Sequence, residues 1–308
     1  IGLDEETDIT TEDIATQVSG IDLIIDGHSH TYLENGLQVE DTLIASSGQY
    51  MQAVGVVSVD LATKTTTASQ VSATDEQLST LKNPRIDEMI AAITENQNEL
   101  LSVVVAKSDV LLEGSREHVR SSETNLGNLL TDAMRAITKA DIAITNGGGI
   151  RDSIAAGDVT RGDIVTVLPF GNFVVTKEIS CSELLLALEH GLSKYPESNG
   201  GFLHVSGLTV VFDPEREAGK RIVEVKVNKE ALDQDKTYLL ATNYFLSTGG
   251  DGFTMLEPLA TINEYSALDE ILTQYMKDIV IDENSRYHAN EGRITTQSIT
   301  VYTVLPND

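Results

Sequence analysis

The sequence contains no tryptophan and a single cysteine, Cys181, and its aromatic residues amount to only 5% of the chain. One cysteine excludes an internal disulfide and leaves the redox compartment open. Cys181 opens the apolar-periodic stretch Cys181 to Leu192. A buried structural thiol is expected there rather than a nucleophile, because the nearest histidine, His190, would fall on the opposite face of that helix. Basic residues are scarce as well, 21 against 48 acidic ones, for a formal charge of -27. Such a balance repels nucleic acid and anionic membrane surfaces at long range, so no polymeric nucleic acid is expected as a partner. A small anionic ligand stays possible, since a few clustered arginines can reverse the potential locally. No run approaches the roughly 18 uninterrupted apolar residues that a bilayer-spanning helix needs, and residues 1–30 lack a basic region followed by an apolar one. No membrane insertion is therefore expected of these residues.

What is present suffices for more than one core: 308 residues, 41% of them hydrophobic, predict two domains. Residues 21–25 read as a buried strand, and Thr42 to Ala45 and Val54 to Leu61 as further strands with turn signals between them. A polar, Thr/Ser-rich linker is expected from Lys64 to Thr74. The pattern from Ile86 to Leu101, with apolar residues at Ile86, Met89, Ile90, Ile93 and Leu100, then predicts a helix bridging the domains. Leu126, Leu129, Leu130, Ala133, Met134 and Ile137 form one apolar stripe at spacings of three and four, with Ser122 or Thr124 as the cap. Further on, the patterning predicts strands at Asp141 to Thr145, Phe173 to Ile179, Leu203 to Phe212, Ile222 to Val227 and Tyr238 to Thr242. Helices are predicted to start near Thr160 and to cover Ser182 to Leu192 and Ser266 to Ile279. The class is mixed α/β.

Four groups of residues are candidates for chemistry. Gly27-His28-Ser29-His30 follows the first strand, on the kind of loop where open α/β sheets gather ligands. Neutral imidazoles suit a divalent transition metal, and two surface histidines in a turn are the alternative. Arg116, Arg120 and Arg151 would make a phosphate clamp if they converge, because a guanidinium binds phosphate oxygens in a fork; otherwise they are solvated loop residues. Arg151 ends Asn146-Gly147-Gly148-Gly149-Ile150-Arg151, where glycines let backbone amides approach a ligand, although the run is neither a P-loop nor a dinucleotide fingerprint. Phe170 and Phe245, both beside turn signals, could stack on the two faces of a planar base, a contact worth about 1–3 kcal/mol per base, or could be ordinary core residues. Asp251, in Gly249-Gly250-Asp251-Gly252, is a loop carboxylate of the kind that grips ribose hydroxyls.

Taken in order, Ile21-Asp22-Leu23-Ile24-Ile25-Asp26-Gly27-His28-Ser29-His30, Asn125-Leu126-Gly127-Asn128-Leu129, Asn146-Gly147-Gly148-Gly149-Ile150-Arg151, Pro169-Phe170-Gly171-Asn172 and Gly249-Gly250-Asp251-Gly252-Phe253 resemble the 5'-nucleotidase family. The resemblance implies an N-terminal dinuclear metallophosphatase domain, a connecting helix and a C-terminal substrate-binding domain. It places the end of a calcineurin-like metallophosphatase sandwich at residues 1–80, the linker helix at 81–102 and the substrate-binding domain at 103–308. His28 and His30 are then metal ligands, for two divalent ions such as zinc or manganese. Arg116, Arg120 and Arg151 form the phosphate clamp, and Phe170 and Phe245 the stacking pair. Asn146, Gly148 and Asn172 become polar contacts to the ligand, and Asp251 the ribose ligand. The implied ligand is a nucleotide or nucleoside, and the implied location is extracellular, periplasmic or on the cell wall.

The resemblance has one departure. The family's Asp-x-His, Gly-Asn-His-Glu/Asp and Ser/Thr-His-x-Gly segments, which supply most metal ligands and the catalytic Asn-His pair, are missing, and Ile1-Gly2-Leu3-Asp4 resembles the tail of the last of them. No catalytic residue is therefore assigned within this sequence. Two histidines cannot complete a two-metal site, so this chain alone is expected not to hydrolyse phosphate esters. Alternatives are a 2',3'-cyclic-nucleotide phosphodiesterase with 3'-nucleotidase activity, a UDP-sugar or dinucleotide hydrolase, a non-catalytic nucleoside-binding module and a structural, adhesive role.

Overall fold

The computed structural model describes residues 2–3, 9–74 and 82–297, and the chain divides into two compact units, Ile1–Thr94 and Glu95–Asp308. In the first unit the helix Thr11–Gln17 starts in a capping box, with the Thr10 and Asp13 side chains each holding the other's backbone N–H. Strands β1 (Leu23–Ile25), β2 (Leu37–Val39) and β3 (Thr42–Ala45) form a small sheet in the order β1-β3-β2. Strands β4 (Ala53–Asp60) and β5 (Thr65–Ser72) form an antiparallel hairpin paired from Ala53↔Ser72 to Asp60↔Thr65. The linker predicted for Lys64 to Thr74 is thus a strand. Threonine is β-branched and favours the extended backbone, and its polar side chains suit a hairpin with exposed faces.

The helix Pro84–Leu101 carries the division between the two units. The apolar stripe that predicts it does not enter a core: Ile86, Met89, Ile90, Ile93 and Leu100 are all exposed.

The second unit holds β6 (Val104–Ser108), the helices Arg116–Val119 and Asn125–Thr138, β7 (Ile142–Asn146), a 3-10 turn at Gly147–Gly149, β8 (Gly157–Thr160) and the helix Arg161–Val167. Next come β9 (Phe173–Ser180), the helix Cys181–Gly191, β10 (Leu203–Ser206), β11 (Leu208–Phe212), β12 (Ile222–Val227), β13 (Glu230–Ala231) and β14 (Thr237–Asn243). The short helix Tyr244–Ser247, β15 (Thr261–Ala267), the helix Leu268–Lys277 and β16 (Ile294–Thr296) complete it. Thr124 caps the long helix by accepting from the Gly127 N–H, and Thr160 closes a capping box with Asp163.

Five strands in the order β10-β7-β14-β9-β15 form the central sheet. Side chains alternate across it: Ile142 and Ile144 of β7 pack with Leu184 and Leu188, whereas Ala143 between them packs with Leu129, Met134 and Leu272. Both faces are therefore buried, one under the helices Asn125–Thr138 and Leu268–Lys277, the other against the helix Cys181–Gly191 and a four-stranded sheet, β13-β12-β11-β16.

Two predicted elements are redrawn. The single strand expected over Leu203 to Phe212 is two strands in two different sheets, because Gly207 has φ 77 and so turns the chain from one sheet into the other. The helix expected from Ser266 starts at Leu268, since Ser266 still belongs to β15, which pairs with β9. Cys181 is buried and free, and burial pushes its thiol pKa up, with Asp233 adding to the effect.

Candidate functional site

One end of the central sheet collects the predicted ligand-binding residues, for a topological reason. Strands β7 and β14 run parallel and end at Asn146 and Asn243, while their antiparallel neighbours β10 and β9 begin beside them, in the pairs Leu203↔Asn146 and Val174↔Asn243. Four connections meet there: 147–151 leaving β7, 244–252 leaving β14, 170–172 entering β9 and 199–201 entering β10. This is where open sheets with parallel strands bind ligands.

A chain of amides fixes the polar floor. Buried Asn243 donates from Nδ2 to Thr145 Oγ1 and to Asn146 Oδ1, both at 3.0 Å, and its Oδ1 accepts from the Leu246 N–H at 2.9 Å. With Oδ1 taken, Asn146 directs Nδ2 to the Asp251 carboxylate at 2.7 Å. Asp251 holds a left-handed backbone, φ 50, which costs a non-glycine residue free energy unless its surroundings enforce it. His190 helps enforce it by donating Nε2–H to the Asp251 carbonyl at 2.7 Å, its ring edge-on to Phe253.

The glycine run is needed for close approach. A β-carbon on Gly147 would collide with the Val119 carbonyl, and the Gly148 N–H donates to the Gly200 carbonyl at 2.8 Å. The open side of Gly200 faces both Asp251 and Arg120, so that a β-carbon there would stand 3.6 Å from Asp251 Oδ2 and 3.9 Å from Arg120 Nη1. Arg120 is itself only 5% exposed, and its carbonyl accepts from the Asn199 N–H at 2.9 Å. Arg151 reaches the Gly148 carbonyl with Nη1 at 3.4 Å and lies over the Phe170 ring, 5.6 Å from its centroid.

Phe170 and Phe245 are 58% and 39% exposed, so neither is a core residue. The Phe245 ring packs against Gly250, where a β-carbon would meet it at 2.6 Å, and the residues next to the two loops, Phe173 and Tyr244, stack with centroids 4.5 Å apart. Contacts thus join Arg120, Asn146, Gly148, Arg151, Phe170, Phe245 and Asp251 around one sheet end. Asn172 sits half-buried just before β9, its carbonyl taken by the Leu268 N–H. Arg116 opens the helix Arg116–Val119 and is exposed.

Four contributors carry no recognisable motif. Asn243 orients Asn146, and His190 steadies Asp251. Buried Lys177 on β9 donates to the carbonyls of Ser247, Leu256 and Leu259. Fully buried His204 donates Nε2–H at 2.9 Å to the carbonyl of Val119, the residue before Arg120. Burial draws the His204 pKa down to about 4, against the opposing pull of that carbonyl, so the ring is neutral at physiological pH. A lysine amid buried neighbours on a strand is the one sequence signal on offer among these four.

In the first unit, His28 and His30 are exposed and both have left-handed backbones, φ 68 and 61. Among the described residues no group of three or more His, Cys, Asp or Glu is placed to hold a metal ion. Two imidazoles fall short of the coordination that such an ion takes from protein, so the described residues do not fit a dinuclear centre. Among the described residues no helix is long and apolar enough to cross a membrane.

Comparison with known proteins identifies the family. Residues 104–258 match the model of the 5'-nucleotidase C-terminal domain. The chain is 36% identical to the trifunctional nucleotide phosphoesterase protein YfkN of Bacillus subtilis (strain 168) over 87% of its own length and 19% of that protein's. It is 29% identical to the 5'-nucleotidase of Bos taurus, over 91% of this chain and 55% of that enzyme. The crystal structure of a 5'-nucleotidase precursor from Thermus thermophilus superposes on 89% of this chain and 59% of its own, with a TM-score of 0.68 and 33% identity. The chain therefore spans little more than half, or less, of each of these relatives. Its motifs, its mixed α/β fold and the family match over half its length lead to one assignment: the chain belongs to the 5'-nucleotidase family, and residues 104–258 are its C-terminal domain.

Proposed function

We propose that this chain is the nucleotide-binding half of a dimetal nucleotide phosphohydrolase that removes phosphate from nucleoside monophosphates, and that alone it does not turn over phosphate esters. The observation that carries the reading is the meeting, at one sheet end, of a buried guanidinium, a loop carboxylate in a strained backbone and two exposed phenylalanine rings. In this reading Arg120 and Arg151, with Arg116 nearby in sequence, fork onto phosphate oxygens. Phe170 and Phe245 stack on the base, Asn146 and Asn172 offer it polar contacts, the Gly148 backbone approaches the ligand, and Asp251 takes the ribose hydroxyls.

Divalent ions supply an activated water and charge neutralisation at phosphorus when bound in enzymes of this kind. His28 and His30 would be the share of that centre belonging to this chain, and no step is assigned to them. The same reading makes residues 1–80 the end of a metallophosphatase domain, 81–102 its linker helix and 103–308 the substrate-binding domain, in a protein acting outside the cytoplasm or on the cell surface.

The test uses the purified chain at stoichiometric concentration with added manganese or zinc. No turnover is expected on AMP, 3'-AMP, 2',3'-cyclic AMP or UDP-glucose, and adenosine at 100 times its dissociation constant should stabilise the fold by about 2.7 kcal/mol. Many turnovers on AMP would overturn the inactivity, and an unfolding temperature indifferent to adenosine would overturn the nucleoside site.

A further inference from the structure

Lys177 is out of place by composition. It lies in β9 among buried Val174, Val175, Thr176 and Ile179, and is itself only 3% exposed. Taking an ammonium out of water is costly unless all of its hydrogens find acceptors. Here they do, because an ammonium has three donors and Nζ reaches the carbonyls of Ser247 at 2.7 Å, Leu256 at 2.8 Å and Leu259 at 2.8 Å. Burial draws its pKa below the ordinary lysine value, with the Glu257 carboxylate pulling the other way.

The identity of those acceptors matters more than their number. Ser247 ends the short helix that carries Phe245, whereas Leu256 and Leu259 lie beyond the Gly250–Gly252 turn that carries Asp251. One ammonium therefore ties the end of the helix that carries Phe245 to the chain beyond the turn that carries Asp251. A methionine or leucine would fill the same volume, yet could not draw three carbonyls to one point.

We propose that Lys177 is a positioning residue for nucleoside recognition, its ammonium knotting the base of segment 247–259 so that Phe245 and Asp251 keep the poses that grip base and ribose. The proposal rests on the nucleoside reading given above. It assigns Lys177 no contact with the ligand and no chemistry, and it predicts an effect on ligand affinity that passes through Phe245.

The experiment is calorimetric titration of adenosine into the 308-residue chain, using the wild type, Lys177→Met, Phe245→Ala and the double variant. Lys177→Met should weaken adenosine binding tenfold or more. In the double variant the two losses should combine to clearly less than their product, because residues that act as one unit are non-additive. Unchanged affinity in Lys177→Met, or losses that multiply in full, would overturn the proposal while leaving the nucleoside site intact. A wild-type chain that does not bind adenosine would instead sink the nucleoside reading, and this proposal with it. If Lys177→Met does not fold, Lys177→Gln, which keeps two donors on a shorter arm, takes its place with the same two criteria. Hydrogen exchange in the unliganded wild type adds an independent check. Amides of residues 247–259 should be protected, and exchange at the rate of a free peptide would overturn the knot.

Discussion

The two units of this chain differ in what they bury. Among the described residues of 1–94 the buried apolar side chains are few and mostly small, Ala15, Leu43, Ile44, Ala45 and Ala53, while Val54, Val56, Val59 and Leu61 of the β4–β5 hairpin lie exposed. Residues 95–308 enclose two dense clusters, one on each face of the central sheet. All the buried ionisable polar side chains among the described residues, Arg120, Glu123, Asp132, Lys177, His204 and Arg293, also lie in the second unit. A unit with a full core can support desolvated charges and hold a ligand site rigid, whereas one with a thin core can do neither well.

The sharpest way to break that comparison is to remove a buried charge from the second unit. Arg293 donates to both Asp132 carboxylate oxygens at 2.9 and 2.8 Å. Burial alone would raise the Asp132 pKa, but Arg293, with Ser206 and Arg286 helping, holds it below the usual carboxylate range. Arg293→Ala takes the main compensating charge from that carboxylate, leaving it Ser206, Tyr287 and the half-exposed Arg286, and should cost about 3 kcal/mol in urea unfolding. Val56→Ala on the exposed hairpin should stay within about 0.5 kcal/mol. Equal losses would erase the distinction between the units.

A second, somewhat smaller effect is set by pH. His204 is held neutral with a pKa of about 4 in the fold, while in the unfolded chain it takes up a proton below about 6.5. The stability it contributes is therefore complete above pH 6.5 and is lost as pH falls towards 4, by about 3 kcal/mol. The window lies above that of the carboxylates whose pKa is lowered in the fold. Unfolding of the second unit followed from pH 7 to 4.5 should show this loss, and His204→Gln, which keeps a donor for the Val119 carbonyl but does not titrate, should abolish it.

The smallest effect compares like with like. Thr10 and Thr160 close the same capping box, one in each unit. Alanine at either should cost about 1 kcal/mol, with Thr10→Ala acting on the less stable transition of a two-step melt and Thr160→Ala on the more stable one. If both variants shift a single shared transition, the units unfold as one.

The same contrast governs what can be read from the sequence. Elements that bury one regular stripe, such as the helix Asn125–Thr138 with its Thr124 cap, are legible because local periodicity and tertiary burial agree. Thr65–Ser72 is not, because a polar, β-branched strand looks like a linker until its partner is known. Gly207 does not stand out as a break because alternation continues on both sides of it, although the strands on either side join different sheets. Among the site residues, Asn146, Arg151, Phe170 and Asp251 sit in short motifs beside turn signals. The residues that hold them do not: His190 meets Asp251 across 61 positions, Lys177 meets Leu259 across 82 and His204 meets Val119 across 85. Only the fold joins such pairs.

In the proposed function one sheet end acts as a nucleotide clamp. A crystal structure of this chain grown with AMP tests it most directly. The account predicts the purine between the rings of Phe170 and Phe245, ribose hydroxyls on the Asp251 carboxylate and the phosphate turned towards Arg120 and Arg151. Nucleotide bound at another face, or density between the two rings that AMP leaves unchanged at saturating concentration, would contradict it.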